Sequence, residues 1–300
     1  MTKESNEFKS GFASLVGRTN VGKSTLLNKM VGQKVVIMSD KAQTTRNKIL
    51  CVLNRDDSQV VFLDTPGVHK PKNKLGEYLV QVAMNTLTEV DIVLFLVEAN
   101  QLPGPGDHYL IQRFSDLSTP VILVINKIDL VKRERLLPLI EQYKKLYNFA
   151  EIVPVSALTG ENRDHLLEVL ISYLPAGPKY YPIDMVTDRP EGFIMAELIR
   201  EKVLALTCQE VPHSVAVIIE DLLERPNNVV AVQAVIYTER ESQKGILIGK
   251  GGHMLKKIGQ LAREDMEKLL GSKIFLELWV KVRPDWRNKE TLLENLGYSE

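Results

Sequence analysis

The sequence predicts an α/β domain with a mostly parallel sheet and helices on both faces, followed by a smaller α+β domain. In the first half, short β-branched apolar runs alternate with helix-length segments, a pattern typical of strand–helix–strand crossovers. Residues 174–182 then contain three prolines and one glycine, which end the last helix and favour a stiff linker. Because 300 residues reach the upper limit of one core, we expect domains at 8–175 and 191–300, the latter with a C-terminal tail, and a linker at 176–190.

Each strand of the first domain is predicted from an apolar run typical of strands buried on both faces. These runs lie at 12–16, 60–63, 92–97, 121–125 and 152–155, and helices are predicted between them at 22–31, 74–87, 107–114, 133–147 and 163–173. The longest run has six apolar residues, whereas a membrane-spanning helix needs about 20. The first eleven residues contain no apolar run, so we expect no signal peptide.

The second domain has a different order of elements. A helix is predicted at about 191–206, strands at 213–220 and 229–238, and a glycine-rich turn between two helical stretches near 244–268. The last strand, 274–283, has apolar residues at its even positions and polar or aromatic residues at most odd positions. That alternation predicts one buried face and one exposed face.

Composition excludes several classes of protein. A hydrophobic content of 44% with 25% charged residues argues against disorder and against fibrous repeats. Lys and Arg number 38, as do Asp and Glu, which excludes a globally basic nucleic-acid coat but not a local basic patch. The only cysteines, Cys51 and Cys208, are too few for a disulfide framework or a zinc site and favour a cytoplasmic protein.

A phosphate-binding loop is predicted after the first strand, where Gly17-Arg-Thr-Asn-Val-Gly-Lys-Ser24 matches G-x-x-x-x-G-K-S/T and opens a helix. Glycines let backbone N–H groups curl around phosphate oxygens, and the helix N-terminus adds its dipole. Lys23 is expected to contact the terminal phosphates, and the Ser24 hydroxyl to bind Mg²⁺. The nucleotide-binding residues expected here are Gly17, Arg18, Thr19, Asn20, Val21, Gly22, Lys23, Ser24 and Thr25.

Three further segments each follow a later strand. In Asp64-Thr-Pro-Gly67 the carboxylate can reach Mg²⁺ through water, and the Gly67 N–H can contact the terminal phosphate. Asp129 of Asn126-Lys-Ile-Asp129 can accept the N1–H and 2-amino hydrogens of guanine, and a buried acceptor left unmet would disfavour adenine. Ser156-Ala-Leu158 offers a backbone N–H to guanine O6. The further residues expected to bind GTP are Asp64, Thr65, Pro66, Gly67, Asn126, Lys127, Asp129, Ser156, Ala157 and Leu158.

These four segments, in this order, resemble the P-loop GTPases of the translation-factor-related class over residues 8–175. The resemblance implies hydrolysis of GTP to GDP and phosphate, with Mg²⁺ as cofactor. It also implies that Thr44-Thr45-Arg46 is the switch I motif, in which one threonine closes over Mg²⁺. Aligning on the Thr-Arg pair favours Thr45, while Thr44 and a plain polar loop remain open. The residues expected in catalysis are Lys23, Thr45, Gly67 and Asn20, and those expected at the metal are Ser24, Thr45 and Asp64.

One position departs from the Ras-like pattern. Val68 follows Gly67, where Ras-like members have the glutamine that orients the attacking water. The chain therefore resembles the hydrophobic-substituted GTPases, which orient water by other means. Asn20 matches an asparagine that helps to hold K⁺ beside the phosphates in some of these relatives; the alternative is an asparagine that only makes turn hydrogen bonds.

The second domain contains a G-x-x-G loop, Gly249-Lys-Gly-Gly252, between two helices. Glycines there let a nucleic-acid backbone approach, although a lone loop of this kind is more often an ordinary turn. The order helix, two strands, G-x-x-G helix pair and strand resembles the KH domain in its type II arrangement, which binds about four single-stranded nucleotides. The residues expected to bind RNA are Gly249, Lys250, Gly251, Gly252, Lys256 and Lys257.

Two further features of this domain have more than one interpretation. Residues 240–289 hold twelve Lys and Arg against six Asp and Glu, which is consistent with phosphate contacts and also with ordinary solvated surface. Phe275 and Trp279, on the polar face of the last strand, are either stacking residues or interface residues.

A GTPase domain followed by a type II KH domain resembles the bacterial Era family, and segments 41–46 and 276–282 agree with it. The resemblance implies GTP and GDP as ligands and binding of the 3′ end of 16S ribosomal RNA. It also implies a role in maturation of the small (30S) ribosomal subunit under the control of GTP, with no DNA partner. Members of the family are cytoplasmic and associate peripherally with the inner membrane, for which the sequence offers no mechanism beyond the basic segment.

Two other classes are compatible with parts of the sequence. GTPases of the tRNA-modification or tandem type share the Thr-Thr-Arg segment and the hydrophobic position after Gly67, but they lack the G-x-x-G domain. A pure RNA-binding module with a vestigial nucleotide site is disfavoured by the intact set of Lys23, Ser24, Asp64, Asn126 and Asp129. A GTP turnover assay distinguishes such a module from a GTPase.

Overall fold

The computed structural model describes residues 7–39, 41, 44–68, 70–225 and 228–298. These residues form two compact units. The first comprises the chain up to Val36, Thr45–Pro71 and Gly76–Asp188, and the second comprises Ile37–Thr44, Lys72–Leu75 and the chain from Arg189 on. Within the described ranges, every helix is too short or too polar to cross a membrane.

The first unit is built on a six-stranded sheet of order β2-β3-β1-β4-β5-β6, in which only β2 is antiparallel to its neighbour. The predicted mostly parallel α/β fold is confirmed. The strands are β1 Lys9–Gly17, β2 Ile49–Asn54, β3 Ser58–Asp64, β4 Ile92–Glu98, β5 Val121–Asn126 and β6 Glu151–Pro154. The helices are α1 Lys23–Val31, α2 Lys74–Thr86, α3 Pro105–Phe114, α4 Leu136–Leu146 and α5 Arg163–Tyr173.

Residues 49–54 form β2, a strand that is not among those predicted from the sequence. This strand forms a hairpin with β3, and its other edge is covered by residues 182–187. The Val52 N–H donates to the Val186 carbonyl at 2.8 Å, and the Thr187 hydroxyl donates to the Leu50 carbonyl at 2.7 Å. The segment predicted as a linker therefore makes backbone hydrogen bonds to the first unit, since its prolines bar a helix but leave carbonyl groups free to pair.

The sheet brings the functional segments together. Strands β1, β3, β4 and β5 are parallel, so their carboxyl ends lie at one edge of the sheet. Gly17, Asp64, Glu98 and Asn126 are the last residues of these four strands. On one side of the sheet, residues of α2, α3 and α4 pack with the strands in a single apolar cluster, and α1 contacts β1, β2, β3 and α5.

The second unit has a three-stranded sheet of order β7-β8-β9, with β7 antiparallel and β9 parallel to β8. The predicted α+β fold is confirmed. Its elements are α6 Glu191–Leu206, β7 Ala216–Arg225, β8 Val229–Thr238, α7 Glu241–Ile248, α8 His253–Leu270, β9 Lys273–Val282 and α9 Glu290–Asn295. Strand β7 begins three residues later than predicted and extends to Arg225. In the predicted tail, Trp286 is buried, donates its indole N–H to the Ser214 carbonyl at 3.0 Å and stacks on Tyr298.

Candidate nucleotide and RNA sites

The phosphate-binding loop closes around Lys23. Its ammonium group donates hydrogen bonds to the carbonyls of Gly17 at 3.2 Å and Arg18 at 3.0 Å. Gly22, the last residue before α1, has a φ of +96°, a left-handed conformation that favours glycine. A Cβ atom at this position would also lie 2.3 Å from Asn126 Nδ2. The loop therefore requires glycine here for its backbone conformation and for the close approach of Asn126.

Three side-chain oxygens meet beside the loop. Asp64 Oδ2 accepts hydrogen bonds from the hydroxyls of Ser24 at 3.2 Å and Thr45 at 3.0 Å, and those two hydroxyl oxygens are 3.1 Å apart. The Thr44 hydroxyl instead donates to the Lys41 carbonyl at 2.7 Å. Of the two threonines that the sequence left open, Thr45 is therefore the one that lies with Ser24 and Asp64.

Burial governs the charges in this cluster. It raises the pKa of the Asp64 carboxyl to about 6, an effect that the Lys23 charge and the Thr45 and Ser24 hydroxyls oppose. Burial likewise lowers the pKa of Lys23 to about 8, and the Asp64 charge opposes that shift. Among the described residues, no side chain donates a hydrogen bond to the buried Asp64 Oδ1. A buried carboxylate oxygen without such a donor is costly, so the three oxygens suit a hard cation such as Mg²⁺.

Asn126 links the phosphate-binding loop to the segment after β6. Its side-chain Nδ2 donates to the Val21 carbonyl at 2.8 Å, while its Oδ1 accepts the Ala157 N–H at 2.9 Å. Asn126 is 1% exposed. Its amide nitrogen and oxygen therefore hydrogen-bond two different loops and hold them next to each other. Its structural role explains why an asparagine begins the Asn126-Lys-Ile-Asp129 segment.

Asp129 is exposed, whereas the sequence analysis treated it as a buried acceptor. A short 3₁₀ turn, Ile128–Leu130, carries it away from the end of β5. Its Oδ1 accepts the Ser156 hydroxyl at 2.6 Å, which fixes the orientation of the carboxylate. The Ser156 N–H donates to the Glu161 carbonyl at 3.1 Å and the Ala157 N–H to Asn126, so the predicted contact of this segment with guanine O6 remains a prediction.

Gly67 and Val68 lie against the phosphate-binding loop. A Cβ atom at Gly67 would be 2.8 Å from Thr19 Cγ2 and 2.9 Å from Thr19 Cα, so only glycine fits. The Val68 N–H donates to the Gly17 carbonyl at 3.1 Å. The Val68 side chain is 4% exposed and packs in the apolar cluster of the sheet. It therefore serves as a core residue and carries no polar group for orienting water.

Glu98 is a site residue that the sequence analysis missed. Its carboxylate, at the end of β4, pairs with the Lys127 ammonium, which also donates to the Asn20 carbonyl at 2.8 Å. Glu98 is 7% exposed, and Asn20 has a left-handed φ of +67°. An acidic residue at the carboxyl end of a buried parallel strand was the available signal, since that is where ligand-binding groups of such sheets lie.

The G-x-x-G loop of the second unit has the backbone geometry that requires glycine. Gly249, Gly251 and Gly252 have φ values of +71°, +61° and +77°. A Cβ atom at Gly249 would lie 2.8 Å from Met254 Cβ, whereas Gly251 and Gly252 face open space. The loop therefore presents bare backbone at the N-terminus of α8, a helix end that favours anions.

A groove of about 540 Å³ runs from this loop between α8 and β9. Its α8 side is a single helical face, formed by Gly252, Leu255, Lys256, Gly259, Gln260 and Arg263, and its β9 side includes Phe275, Leu276 and Leu278. Gly259 admits the strand closely, since a Cβ atom there would lie 3.3 Å from Leu278 Cδ1. Lys256 lines the groove but Lys257 does not, because the next residue of a helix is rotated by about 100°.

The two exposed aromatic residues of β9 differ in their surroundings. Phe275 is 44% exposed, lines the groove and lies under the Arg225 guanidinium, 4.8 Å from the ring centre. Trp279, 42% exposed, does not line it. An aromatic ring with a neighbouring arginine offers a face on which a base can stack, so Phe275 is the better stacking candidate.

Comparison with known proteins identifies both regions. A family model described as a 50S ribosome-binding GTPase matches residues 12–127, and a KH domain model matches residues 210–287. GTPase Era from Staphylococcus haemolyticus is 56% identical over 294 residues, which cover 98% of this chain and 98% of that relative.

Two crystal structures of Era match the whole fold. One holds Era with MgGDPNP and nucleotides 1506–1542 of 16S ribosomal RNA, and the other holds an alanine variant of Aquifex aeolicus Era bound to GDP·AlF4⁻. Each has a TM-score of 0.95 and 44% identity, and covers 98% of this chain and 100% of the other. With the sequence identity across nearly its full length, this chain belongs to the Era family of GTPases.

Proposed function

We propose that this GTPase binds the 3′ end of 16S ribosomal RNA through its KH domain and acts in maturation of the 30S ribosomal subunit. The main support for the proposal is the open groove beside the G-x-x-G loop. The same chain brings Lys23, Ser24, Thr45 and Asp64 together in a candidate nucleotide site. A relative of 44% identity was crystallised with both a GTP analogue and this RNA.

Mg²⁺ is the proposed metal cofactor. The hydroxyls of Ser24 and Thr45 would bind it directly and Asp64 would reach it through water, since their oxygens lie within 3.2 Å of one another. When bound, Mg²⁺ neutralises charge on the phosphates. Lys23 would contact the phosphates from the loop. Gly67 packs against Thr19 of the same loop, and its N–H is the proposed contact to the terminal phosphate.

Hydrolysis at this site would proceed without a side chain at position 68 acting on water, because the Val68 side chain is buried in the core. A K⁺ ion near Asn20 is the proposed substitute for a positive side chain. Asn20 is exposed and its carbonyl is held by Lys127, which fixes the loop at that position. Replacing K⁺ with Na⁺ should lower the rate of hydrolysis, and an unchanged rate would remove the cation from the mechanism.

Single-stranded RNA fits the KH groove better than duplex DNA does. The apolar floor of Leu255, Leu276 and Leu278 can take unstacked bases, and Lys256 and Arg263 at its edge can take phosphates. The G-x-x-G loop lets the RNA backbone pass without a Cβ atom in its way. The proposed RNA-binding residues are therefore Gly249, Lys250, Gly251, Gly252 and Lys256, with Lys257 on the adjoining surface.

Control of RNA binding by GTP is supported by the chain path through switch I. Residues Ile37–Thr44 belong to the second unit, where the Met38 N–H donates to Glu201 at 2.9 Å and Arg200 donates to the Thr44 carbonyl. The next residue, Thr45, is the proposed Mg²⁺ ligand. If GTP alters RNA affinity, RNA must alter GTP affinity by the same factor, which titrations in both directions can measure.

The remaining assignments follow the family. We assign the GTPase domain to residues 8–175, the linker to 176–190 and the KH domain to 191–300, and we propose a cytoplasmic protein. Peripheral membrane association is proposed on the basic segment at 240–289, whose lysines and arginines can contact anionic lipid headgroups.

The test is RNA binding by Lys250→Asp/Gly251→Asp in the full chain, measured with a 16S 3′-end oligonucleotide and GTP. The matched control is Lys250→Asn/Gly251→Asn, which imposes the same backbone strain at the left-handed Gly251 without adding charge. We expect the acidic variant to bind RNA about 100-fold more weakly, with a shallower salt dependence, and to hydrolyse GTP normally. Equal RNA affinity of the acidic variant and the wild type would exclude RNA binding at this loop.

A further inference from the structure

Asp107 is a fully buried carboxylate that lies outside every nucleotide-binding motif of the chain. It occupies the first turn of α3, and its Oδ2 accepts the Gly104 N–H at 2.8 Å, which caps the helix. Its other oxygen, Oδ1, lies 3.0 Å from Nε of Arg18 in the phosphate-binding loop. One carboxylate oxygen of Asp107 therefore caps α3, and the other forms an ion pair with the phosphate-binding loop.

The segment that precedes and begins α3 is shaped to receive the Arg18 side chain. A Cβ atom at Gly106 would lie 3.0 Å from both Cγ and Cδ of Arg18, and one at Gly104 would lie 3.5 Å from Nη1. Glycine inside a helix is unfavourable, so the stem of Arg18 is the physical reason for a glycine at position 106. The Arg18 side chain therefore has a defined packing position against the start of α3.

The backbone of Arg18 is part of the phosphate site. Its carbonyl accepts the Lys23 hydrogen bond at 3.0 Å, and the residue forms a parallel bridge with Val68. The next residue, Thr19, packs against Gly67. A displacement of Arg18 would therefore move the carbonyl that orients Lys23 and the turn that carries the Gly67 N–H.

The buried carboxylate holds this arrangement in place. A charge with no solvent access is unfavourable unless it is paired, and Asp107 has 0% exposure against 24% for the Arg18 side chain. Burial and the Asp107 charge raise the pKa of the neighbouring Tyr143 hydroxyl, which therefore stays neutral and leaves the ion pair intact. The position of Arg18 thus brings its positive charge within 3.0 Å of Asp107 Oδ1 and forms an ion pair, although the N–H is not aligned for a hydrogen bond.

We propose that Asp107 is a positioning residue for nucleotide binding, which acts through Arg18 to hold the phosphate-binding loop with Lys23 and the Gly67 turn facing the phosphates. The inference rests on the proposed GTP site and adds to it a residue of α3 that touches neither nucleotide nor metal. The alternative is that Asp107 only caps α3.

Asparagine separates these two roles. Asp107→Asn can still accept the Gly104 N–H and keep the cap, but it cannot form the ion pair. Arg18→Met keeps the stem that lies over Gly106 and removes the guanidinium. The experiment measures GDP affinity, kcat, KM and thermal stability for both single variants, the double variant and Asp164→Asn. Asp164 is an exposed first-turn aspartate on α5 and serves as the matched control.

We expect each single variant to bind GDP about tenfold more weakly and to raise KM with little change in kcat, because the loop contacts phosphate in both the ground state and the transition state. The double variant should bind like either single variant, since both remove the same ion pair. Asp164→Asn should match the wild type.

The proposal would be overturned if Asp107→Asn bound GDP within twofold of the wild type. It would also be overturned if the losses of GDP affinity in the two single variants multiplied in the double variant. If Asp107→Asn fails to fold, normal GDP affinity in Arg18→Met overturns it equally. A wild-type protein that does not bind GDP would instead refute the proposed nucleotide site, so the two failures are distinguishable.

Discussion

The side chains at the predicted phosphate and metal positions are buried and hydrogen-bonded within the protein, whereas the lysines expected to bind RNA are exposed. Lys23 is 7% exposed, Asp64 0% and Asn126 1%, and each has partners within the protein. Lys250, Lys256 and Lys257 are exposed. Among the described residues, no hydrogen bond or ion pair holds the ammonium group of any of these three lysines.

This difference predicts how binding energy is distributed. In a pre-organised site each buried group has been desolvated and oriented before the ligand arrives, so the loss of one group leaves others unmatched. In an open groove the phosphate contacts are solvent-exposed and screened by salt, so each contributes little. Single substitutions should therefore be severe in the first site and mild in the second.

The largest effect is expected for Lys23→Ala. This change removes the buried ammonium group that is proposed to contact the phosphates, and a hydrogen bond to a charged group is worth about 1.5–3 kcal/mol. Affinity for GDP and GTP should fall about 100-fold. Lys29→Ala, on the same helix but outside the loop, is the control and should bind normally. Titration with a fluorescent guanine nucleotide measures both, and equal affinities would contradict a pre-organised site.

An effect of similar size is expected at the guanine base. Asp129→Asn should shift preference from GTP toward XTP by about 100-fold, because xanthine has an oxygen where guanine has its amino group. Competition between GTP and XTP measures the shift, and Asp56→Asn in an exposed turn is the control. A mutant that retains full preference for GTP would show that the exposed Asp129 does not bind the base.

An intermediate effect on RNA affinity is expected when a larger side chain fills the floor of the groove. Gly259→Leu places a side chain against Leu278 and should lower RNA affinity about tenfold while GTP turnover stays normal. Gly245→Leu is the control, because a Cβ atom there meets no atom within 4 Å. Unchanged RNA affinity in Gly259→Leu would mean that bases do not enter this part of the groove.

The smallest catalytic effect is expected for Val68→Ala. Two buried methyl groups are lost, which should lower the free energy of unfolding by about 1.5 kcal/mol. Turnover at saturating GTP should change less than threefold, since no polar group at this position orients water. Chemical denaturation and a phosphate-release assay measure the two quantities. A collapse of turnover with unchanged GTP affinity would assign the Val68 side chain a direct role.

The fold class of both units and the segments of the candidate nucleotide site are predictable from residue types and their spacing. Phosphate binding by a Gly-rich loop depends on residue types at fixed spacing, so Gly17, Gly22, Lys23 and Ser24 are enough to predict it. The alternating strands and helices located the carboxyl ends of β1, β3 and β5, where the remaining segments lie. The G-x-x-G loop was visible for the same reason, since three of its residues have φ values that favour glycine.

Which side chains contact one another depends instead on how distant elements pack. Thr44 and Thr45 are adjacent and identical in type, and their different hydrogen bonds, to Lys41 and to Asp64, depend on how the loop packs. The ion pairs of Glu98 with Lys127 and of Asp107 with Arg18 join residues 29 and 89 positions apart. No local pattern encodes such pairs, because they arise when parallel strands and a helix bring distant side chains to one edge of a sheet.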